Sequence, residues 1–331
     1  MGKKKDSLEL YFHIPFCIKK CDYCDFLSGP VTRAGQEAYI YALLREMKAA
    51  SAIEKRTVDT VFIGGGTPSV PECGIMEKLL QGIGKNFQLA ADAEVTIEAN
   101  PGTLTPEKLA LYRRYGINRI SIGLQSPENQ ELRALGRIHN YQQFLESYHM
   151  AREAGFSNIN IDLMFAIPGQ SYEGWIQNLR TVAKLGPEHI SAYSLIIEEG
   201  TPFSARKLDL PDEDTEYRMY EDVAAVLGKY GYYQYEISNY AKKDRNCRHN
   251  EGYWQRKDYL GLGLGAASLV GRERFTNTSD MSEYLENSGN LEKIRTDRET
   301  LTREDEMGEF MFLGLRMTKG VSKKDFQEYF G

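Results

Sequence analysis

Three thiols carry the sharpest chemical signal in this chain. Cys17, Cys21 and Cys24 stand in a C-x3-C-x2-C pattern, while Cys73 and Cys247 complete the five cysteines at distant positions. Thiolates are soft ligands that select zinc, Cu(I) or iron–sulfur clusters. Structural zinc takes four protein ligands, and only three cysteines are local here. A [4Fe–4S] cluster held by three thiolates keeps one iron open for another ligand, the logic of a reactive centre and not of a structural one. Pro15 prevents a continuous helix, so the thiols can curl around one centre, with Lys19 and Lys20 offsetting negative charge. The alternatives are a zinc site completed by His13, or three thiols without a joint role. An odd cysteine count in this clustered form argues against a disulfide framework.

Such a centre needs a scaffold, and the surrounding pattern supplies one. Branched and aromatic runs at 8–14, 58–63, 94–98, 118–124, 158–164 and 189–197 read as strands. Between them, helical spacing marks 36–50, 75–83, a helix opened by Thr105 and Pro106, and runs at 141–154 and 173–185. Strand and helix alternating six times imply parallel strands with helices outside. The expected fold is α/β: a partial (β/α)6 TIM-type barrel over residues 1–200, with a smaller α+β C-terminal domain over 201–331. Unusual residues fall at strand ends, where parallel barrels gather their functional groups: His13, the glycines at 64–66, Glu98, Gln125 and Asp162.

After Gly200 the pattern changes. Residues 212–230 read as one helix, 232–240 as a tyrosine-rich strand, 244–254 as polar, 261–270 as glycine-rich and apolar, and 279–303 as charged and loop-rich. Helices are expected at 304–315 and 322–329, and the C-terminal domain is expected to be cut short at Gly331. The run Gly261, Gly263, Gly265 partly mimics a dinucleotide loop but lies outside any clear strand–loop–helix unit.

Composition narrows the function classes. With 41% hydrophobic and 27% charged residues, the 331-residue chain is neither disordered nor collagen-like. It has no apolar run of 18 residues. A net charge of −6 argues against a nucleic-acid partner, so Tyr230, Tyr232, Tyr233 and Tyr235 read as packing and not as a base-stacking platform. The Met1, Gly2, Lys3, Lys4, Lys5, Asp6 start lacks a clean leader pattern and has no Ser or Thr at position 6, so a cytoplasmic location is expected.

The flanks of the cysteines make a family resemblance specific. Tyr11-Phe12-His13-Ile14-Pro15-Phe16-Cys17, Phe62-Ile63-Gly64-Gly65-Gly66-Thr67-Pro68-Ser69, Glu98-Ala99-Asn100-Pro101-Gly102, Ser121-Ile122-Gly123-Leu124-Gln125-Ser126 and Leu135-Gly136-Arg137-Ile138-His139 resemble the coproporphyrinogen III oxidase-like family. That family lies within the radical S-adenosylmethionine (SAM) superfamily, and the resemblance runs over about residues 8–259. It implies a [4Fe–4S] cluster on Cys17, Cys21 and Cys24, with SAM on the open iron, where one electron cleaves SAM reductively. It assigns Tyr11, Tyr23, Gly65, Gly66, Thr67, Glu98, Gln125, Arg137 and Asp162 to SAM. Each has a plainer reading. The glycines could form a turn, Glu98 a salt bridge at the barrel mouth, and Arg137, which can fork onto a carboxylate, a structural tie. Asp162 can accept two ribose hydroxyls.

Two features favour the haem-chaperone branch of that family. Phe26 stands where the decarboxylating branch has a further cysteine. The run Arg248-His249-Asn250-Glu251-Gly252-Tyr253-Trp254 matches the H-N-x-x-Y-W of the chaperone branch. His249 offers an axial haem ligand, and Tyr253 and Trp254 offer flat faces to a porphyrin. The competing reading is that this motif packs the second domain onto the barrel. Gly265-Ala266-Ala267-Ser268 lacks a histidine that the family tends to carry near residue 267. The partners implied are haem, haem-accepting apoproteins, some of them membrane-associated, and a reductant protein. The competing functions are an oxygen-independent coproporphyrinogen III oxidase and a zinc-stabilised binding module.

Overall fold

The structure, a computed structural model, describes residues 7–331. The Met1 to Asp6 stretch, read above for leader and lipidation signals, lies outside the described residues. Six strands follow the expected order: β1 (Ser7–Ile14), β2 (Thr57–Gly65), β3 (Leu89–Ala99), β4 (Arg119–Gln125), β5 (Ile159–Phe165) and β6 (His189–Ser194). All pair in parallel with their neighbours in sequence. The helices between them are α1 (Arg33–Ile53), α2 (Cys73–Asn86), α3 (Pro106–Arg114), the short α4 (Asn129–Ala134), α5 (Tyr141–Glu153) and α6 (Tyr172–Leu185).

Local chemistry sets the helix ends. The Thr105 side chain accepts from the Lys108 amide, with Pro106 in the first turn. Asn140 and Gln143 close a capping box on α5. Gly186 ends α6 in a left-handed conformation, φ 73°. All seven positions of β4 are buried, as expected for a parallel strand covered on both faces.

The remaining elements are α7 (Glu213–Gly228), β7 (Tyr233–Glu236), β8 (Asn239–Ala241), α8 (Arg248–Trp254), β9 (Tyr259–Leu262), β10 (Ala267–Val270), β11 (Glu273–Asn277), α9 (Met281–Asn287), α10 (Leu291–Ile294), β12 (Arg295–Thr300), α11 (Arg303–Gly314) and α12 (Lys323–Phe330). The strands form one open sheet, in the order β12-β11-β10-β9-β1-β2-β3-β4-β5-β6-β8-β7. β9 extends the parallel run beyond β1, and the outer strands are antiparallel. No described helix is long and apolar enough to cross a membrane.

Several details differ from the sequence expectations. The 232–240 run is the hairpin of β7 and β8, and the polar 244–254 run contains α8. The 279–303 segment is ordered as α9, α10 and β12. β12 is almost wholly exposed, so its charged residues suit the outer edge of a sheet, where charge discourages further pairing. Gly263 and Gly265, with φ 107° and 63°, make the turn between β9 and β10, so the dinucleotide-loop pattern is a strand connection.

Candidate functional site

The three cysteines lie on the loop leaving β1. Backbone bonds fix this loop at several points. The Cys17 amide donates to the Gly29 carbonyl (2.9 Å), and the Cys24 amide donates to the Cys21 carbonyl (3.2 Å). The Asp22 amide donates to Leu135 O (3.2 Å), while Asp22 O accepts from Phe203 N (3.1 Å) and its carboxylate pairs with Arg206 at 2.7 Å. The β2 exit holds the other side: the Gly66 amide donates to Ile14 O and the Thr67 amide to Phe16 O. A Cβ on Gly66 would sit 2.7 Å from Phe16 O and 2.9 Å from Ile14 O, so only glycine allows this approach. These two amides are thus spent on the cysteine loop and do not point to a ligand.

The thiols open onto a cavity of about 500 Å³ at the C-terminal ends of the strands. Cys17, Cys21 and Cys24 line it together with Tyr23, Gly65, Gly66, Thr67, Glu98, Gln125, Arg137 and Asp162. Thus every residue assigned above to the cluster or to SAM, apart from Tyr11, borders one space. Glu98 accepts from the Gly65 amide (3.1 Å), and burial together with the nearby Asp162 carboxylate pushes it up to about 8. Asp162 accepts from Ser121 Oγ (3.1 Å) and Asn160 Nδ2 (2.7 Å), and burial raises it too. Two half-buried acids facing one cavity, both poorly solvated, make a site that favours a cationic ligand. Gln125 has φ 69°, a left-handed conformation costly for a non-glycine residue, where β4 and β5 slip register. Its Oε1 accepts from Tyr193 OH at 2.7 Å.

Arg137 does not fork onto a carboxylate. Its Nη2 donates to Asn100 Oδ1 (2.7 Å) and to Gly123 O (2.6 Å), and its Nη1 lies 3.5 Å from Cys21 Sγ. The guanidinium thus ties the ends of β3 and β4 to a thiol.

Comparison with known proteins fits this geometry. Residues 11–182 match the Radical SAM superfamily, and residues 301–331 match the HemN C-terminal domain. The heme chaperone HemW of Bacillus subtilis (strain 168) is 38% identical over 327 residues, 97% of this chain and 86% of its own length. The heme chaperone HemW of Escherichia coli (strain K12) is 39% identical over 340 residues, covering 99% and 87%. The chain belongs to the HemW family of radical SAM proteins. Its fold resembles coproporphyrinogen III oxidase (HemN) from Escherichia coli, described as a radical SAM enzyme. The TM-score is 0.88 at 25% identity, covering 98% of this chain and 79% of that one.

Membership in the superfamily implies a [4Fe–4S] cluster and SAM. The residues present suit both. Burial, with electrostatic repulsion from Cys21 and Cys17, raises the Cys24 thiol, and coordination to a metal centre would offset that cost of its thiolate form. The acid pair of Glu98 and Asp162 suits the positive charge of SAM. His13 is not placed to complete a zinc site: its Nε2 bonds Leu27 O (2.9 Å) and its Nδ1 bonds Tyr11 OH (3.0 Å). No three described His, Cys, Asp or Glu residues converge on a single metal ion, whereas cluster thiolates bind separate irons.

Other residues that the HemW resemblance singled out stand elsewhere. Tyr11 is stacked on Phe62 behind the cavity, ring centroids 6.4 Å apart. His249 is 1% exposed and packs α8 onto β2. Its Nδ1 bonds Thr60 Oγ1 (2.7 Å), its Nε2 bonds Tyr253 OH (2.9 Å), and its ring stacks on Phe62. Neither nitrogen is left for iron, and burial keeps the ring neutral, lowered to about 3. Tyr253 turns inward with it, and Trp254 lies under Arg316 at 4.3 Å. The H-N-x-x-Y-W run therefore packs as a structural motif here, and the expected haem face at His249 is not formed.

Asn100, Ser121 and Tyr193 also line the cavity, and residue-by-residue reading did not single them out. Asn100 and Ser121 lie inside quoted family motifs, which was the available signal. Tyr193 had none.

Proposed function

We propose that this chain holds a [4Fe–4S] cluster on Cys17, Cys21 and Cys24, binds SAM beside it, and carries haem for delivery to apoproteins. The observation that carries this reading is the shared cavity, in which three thiols face two half-buried, poorly solvated acids, Glu98 and Asp162. When bound, the cluster supplies an electron for reductive cleavage of SAM. Glu98 holds the cationic end of SAM, Asp162 accepts from its ribose hydroxyls, and Gln125, Thr67 and Tyr23 shape the wall between them. Met164 and Tyr193 line the same cavity.

For haem, the fitting surface is the mouth of this cavity and not α8. Phe26 and Ile196 stand 60% and 67% exposed on the rim, beside Lys19 and Lys20. A flat apolar macrocycle with two propionates matches apolar side chains flanked by lysines. Phe26 in place of a cysteine favours this use over decarboxylation of a porphyrinogen.

Haem titration of the anaerobically reconstituted protein tests the reading. Saturable binding, weakened about tenfold by Phe26→Asp with the cluster retained, is expected. Absence of haem binding, with turnover of coproporphyrinogen III in the presence of SAM and reductant, would replace it with the oxidase reading.

A further inference from the structure

A second polar system runs through the interior and ends on Asp162. His189, at the start of β6, is fully buried. Its Nδ1 lies 2.6 Å from Asn160 Oδ1, and its Nε2 lies 2.8 Å from Tyr235 OH. Asn160 Nδ2 donates to Asp162 Oδ1 (2.7 Å) and to Ser121 Oγ (2.7 Å), and Ser121 donates in turn to Asp162 Oδ2 (3.1 Å). At the far end, the Cys247 amide donates to the Tyr235 oxygen at 3.2 Å.

The donors in this chain can point only one way. A carboxylate accepts, so the NH2 group of Asn160 must face Asp162. Its carbonyl oxygen then faces His189 at 2.6 Å and accepts a longer bond from Ser191 Oγ at 3.2 Å, so Nδ1 carries the proton and makes the shorter of the two bonds that this oxygen accepts. Nε2 is left as an acceptor, so the Tyr235 hydroxyl donates to it and takes the Cys247 N–H on its own lone pair. A flipped Asn160 amide would set an oxygen against the carboxylate and hydrogens against Nδ1–H. The arrangement also requires a neutral imidazole, and burial with the nearby Arg119 guanidinium lowers the His189 pKa well below the ordinary range. Every link donates toward Asp162, and each fixes the proton position of the next.

We infer that His189 is a positioning residue for Asp162: through Asn160 it fixes the donors on the carboxylate, so that the remaining lone pairs are aimed at vicinal hydroxyls of the bound nucleoside. Tyr235 sets the tautomer of His189, and the chain ties the start of α8 to the nucleoside end of the cavity. The inference rests on the reading of Asp162 as the ribose contact.

The test compares two ligands on the anaerobically reconstituted protein: S-adenosylhomocysteine and its 2′,3′-dideoxy analogue. Asp162→Asn checks the underlying reading, since it should remove the preference for the ribose ligand. His189→Leu is expected to weaken the ribose ligand about tenfold and leave the dideoxy analogue within twofold. His189→Asn restores a donor near the Nδ1 position and should recover most of the loss. If His189→Leu does not fold, Tyr235→Phe keeps the ring and removes the donor that sets the tautomer, along with the acceptor of the Cys247 amide, and a roughly threefold loss confined to the ribose ligand is expected. Equal losses on both ligands, or none, in a folded variant would overturn the positioning role. An unchanged ribose preference in Asp162→Asn would instead overturn the reading of Asp162.

Discussion

The Arg137 guanidinium lies 3.5 Å from the Cys21 thiol while its other terminal nitrogen is tied to Asn100 and the Gly123 carbonyl. A cation built into the strand ends thus faces a thiol of the proposed cluster site and would offset thiolate charge in a half-buried setting. Arg137→Met should lower cluster occupancy several-fold and leave the remaining cluster harder to reduce. Iron and sulfide analysis with a redox titration checks both effects. Unchanged occupancy and potential would reduce Arg137 to a strand tie.

Gly66 tests the loop in a different way. A methyl group there meets the backbone of Phe16 and Ile14 and not a movable side chain. Gly66→Ala should cost roughly 2 kcal/mol of stability and displace the Cys17 side of the loop. The expected outcome is a folded protein by circular dichroism with most of its iron lost. Full iron retention would mean that the loop can yield without cost.

The proposed contact between Glu98 and SAM carries a pH dependence whose sign follows from the raised carboxyl. Burial and Asp162 hold its carboxyl above the ordinary 4.5, at about 8. Below that value SAM must displace a proton, so affinity should rise by up to roughly tenfold per pH unit and level off above pH 8. Protein without SAM should show the converse in stability. The contribution of a raised carboxyl is fully present below 4.5 and is lost as pH rises through 8. Glu98→Gln should bind SAM weakly with no slope. Calorimetric titration across this range decides, and a slope that persists in Glu98→Gln would assign the proton elsewhere.

His249 should behave as a core residue. His249→Ala strips one hydrogen bond and a ring stack from the α8–β2 contact, and a second hydrogen bond within α8, and should cost about 3 kcal/mol. The melting temperature should fall by several degrees, while folded molecules titrate haem with near-normal affinity. Loss of haem binding at unchanged stability would show instead that α8 opens to ligate iron.

Much of this was readable from the sequence because local rules governed it. The six strand–helix repeats follow from periodicity and caps such as Thr105 and Asn140, and the cysteine spacing sits directly after β1. Residues whose role depends on cross-strand register were less legible. His189 meets Asn160 only because β5 and β6 pair in that register. The parallel pairing of β9 with β1 joins residues about 250 positions apart, beyond any local pattern. His249 shows a further limit. A histidine in a motif reads alike whether it faces a ligand or a Thr60–Phe62 surface, and only packing distinguishes the two. The charged 279–303 segment misled for a related reason, since an exposed edge strand and a loop share a polar composition.

The site is tested most directly by electron paramagnetic resonance of the anaerobically reconstituted, reduced protein, with and without SAM. The expected result is about four irons per chain and a [4Fe–4S] signal whose g values shift on SAM addition. In Glu98→Gln the shift should need far more SAM, and Cys17→Ser should lose the signal. Zinc in place of iron, or a cluster signal indifferent to SAM, would contradict a cluster with an open iron beside the Glu98 and Asp162 cavity.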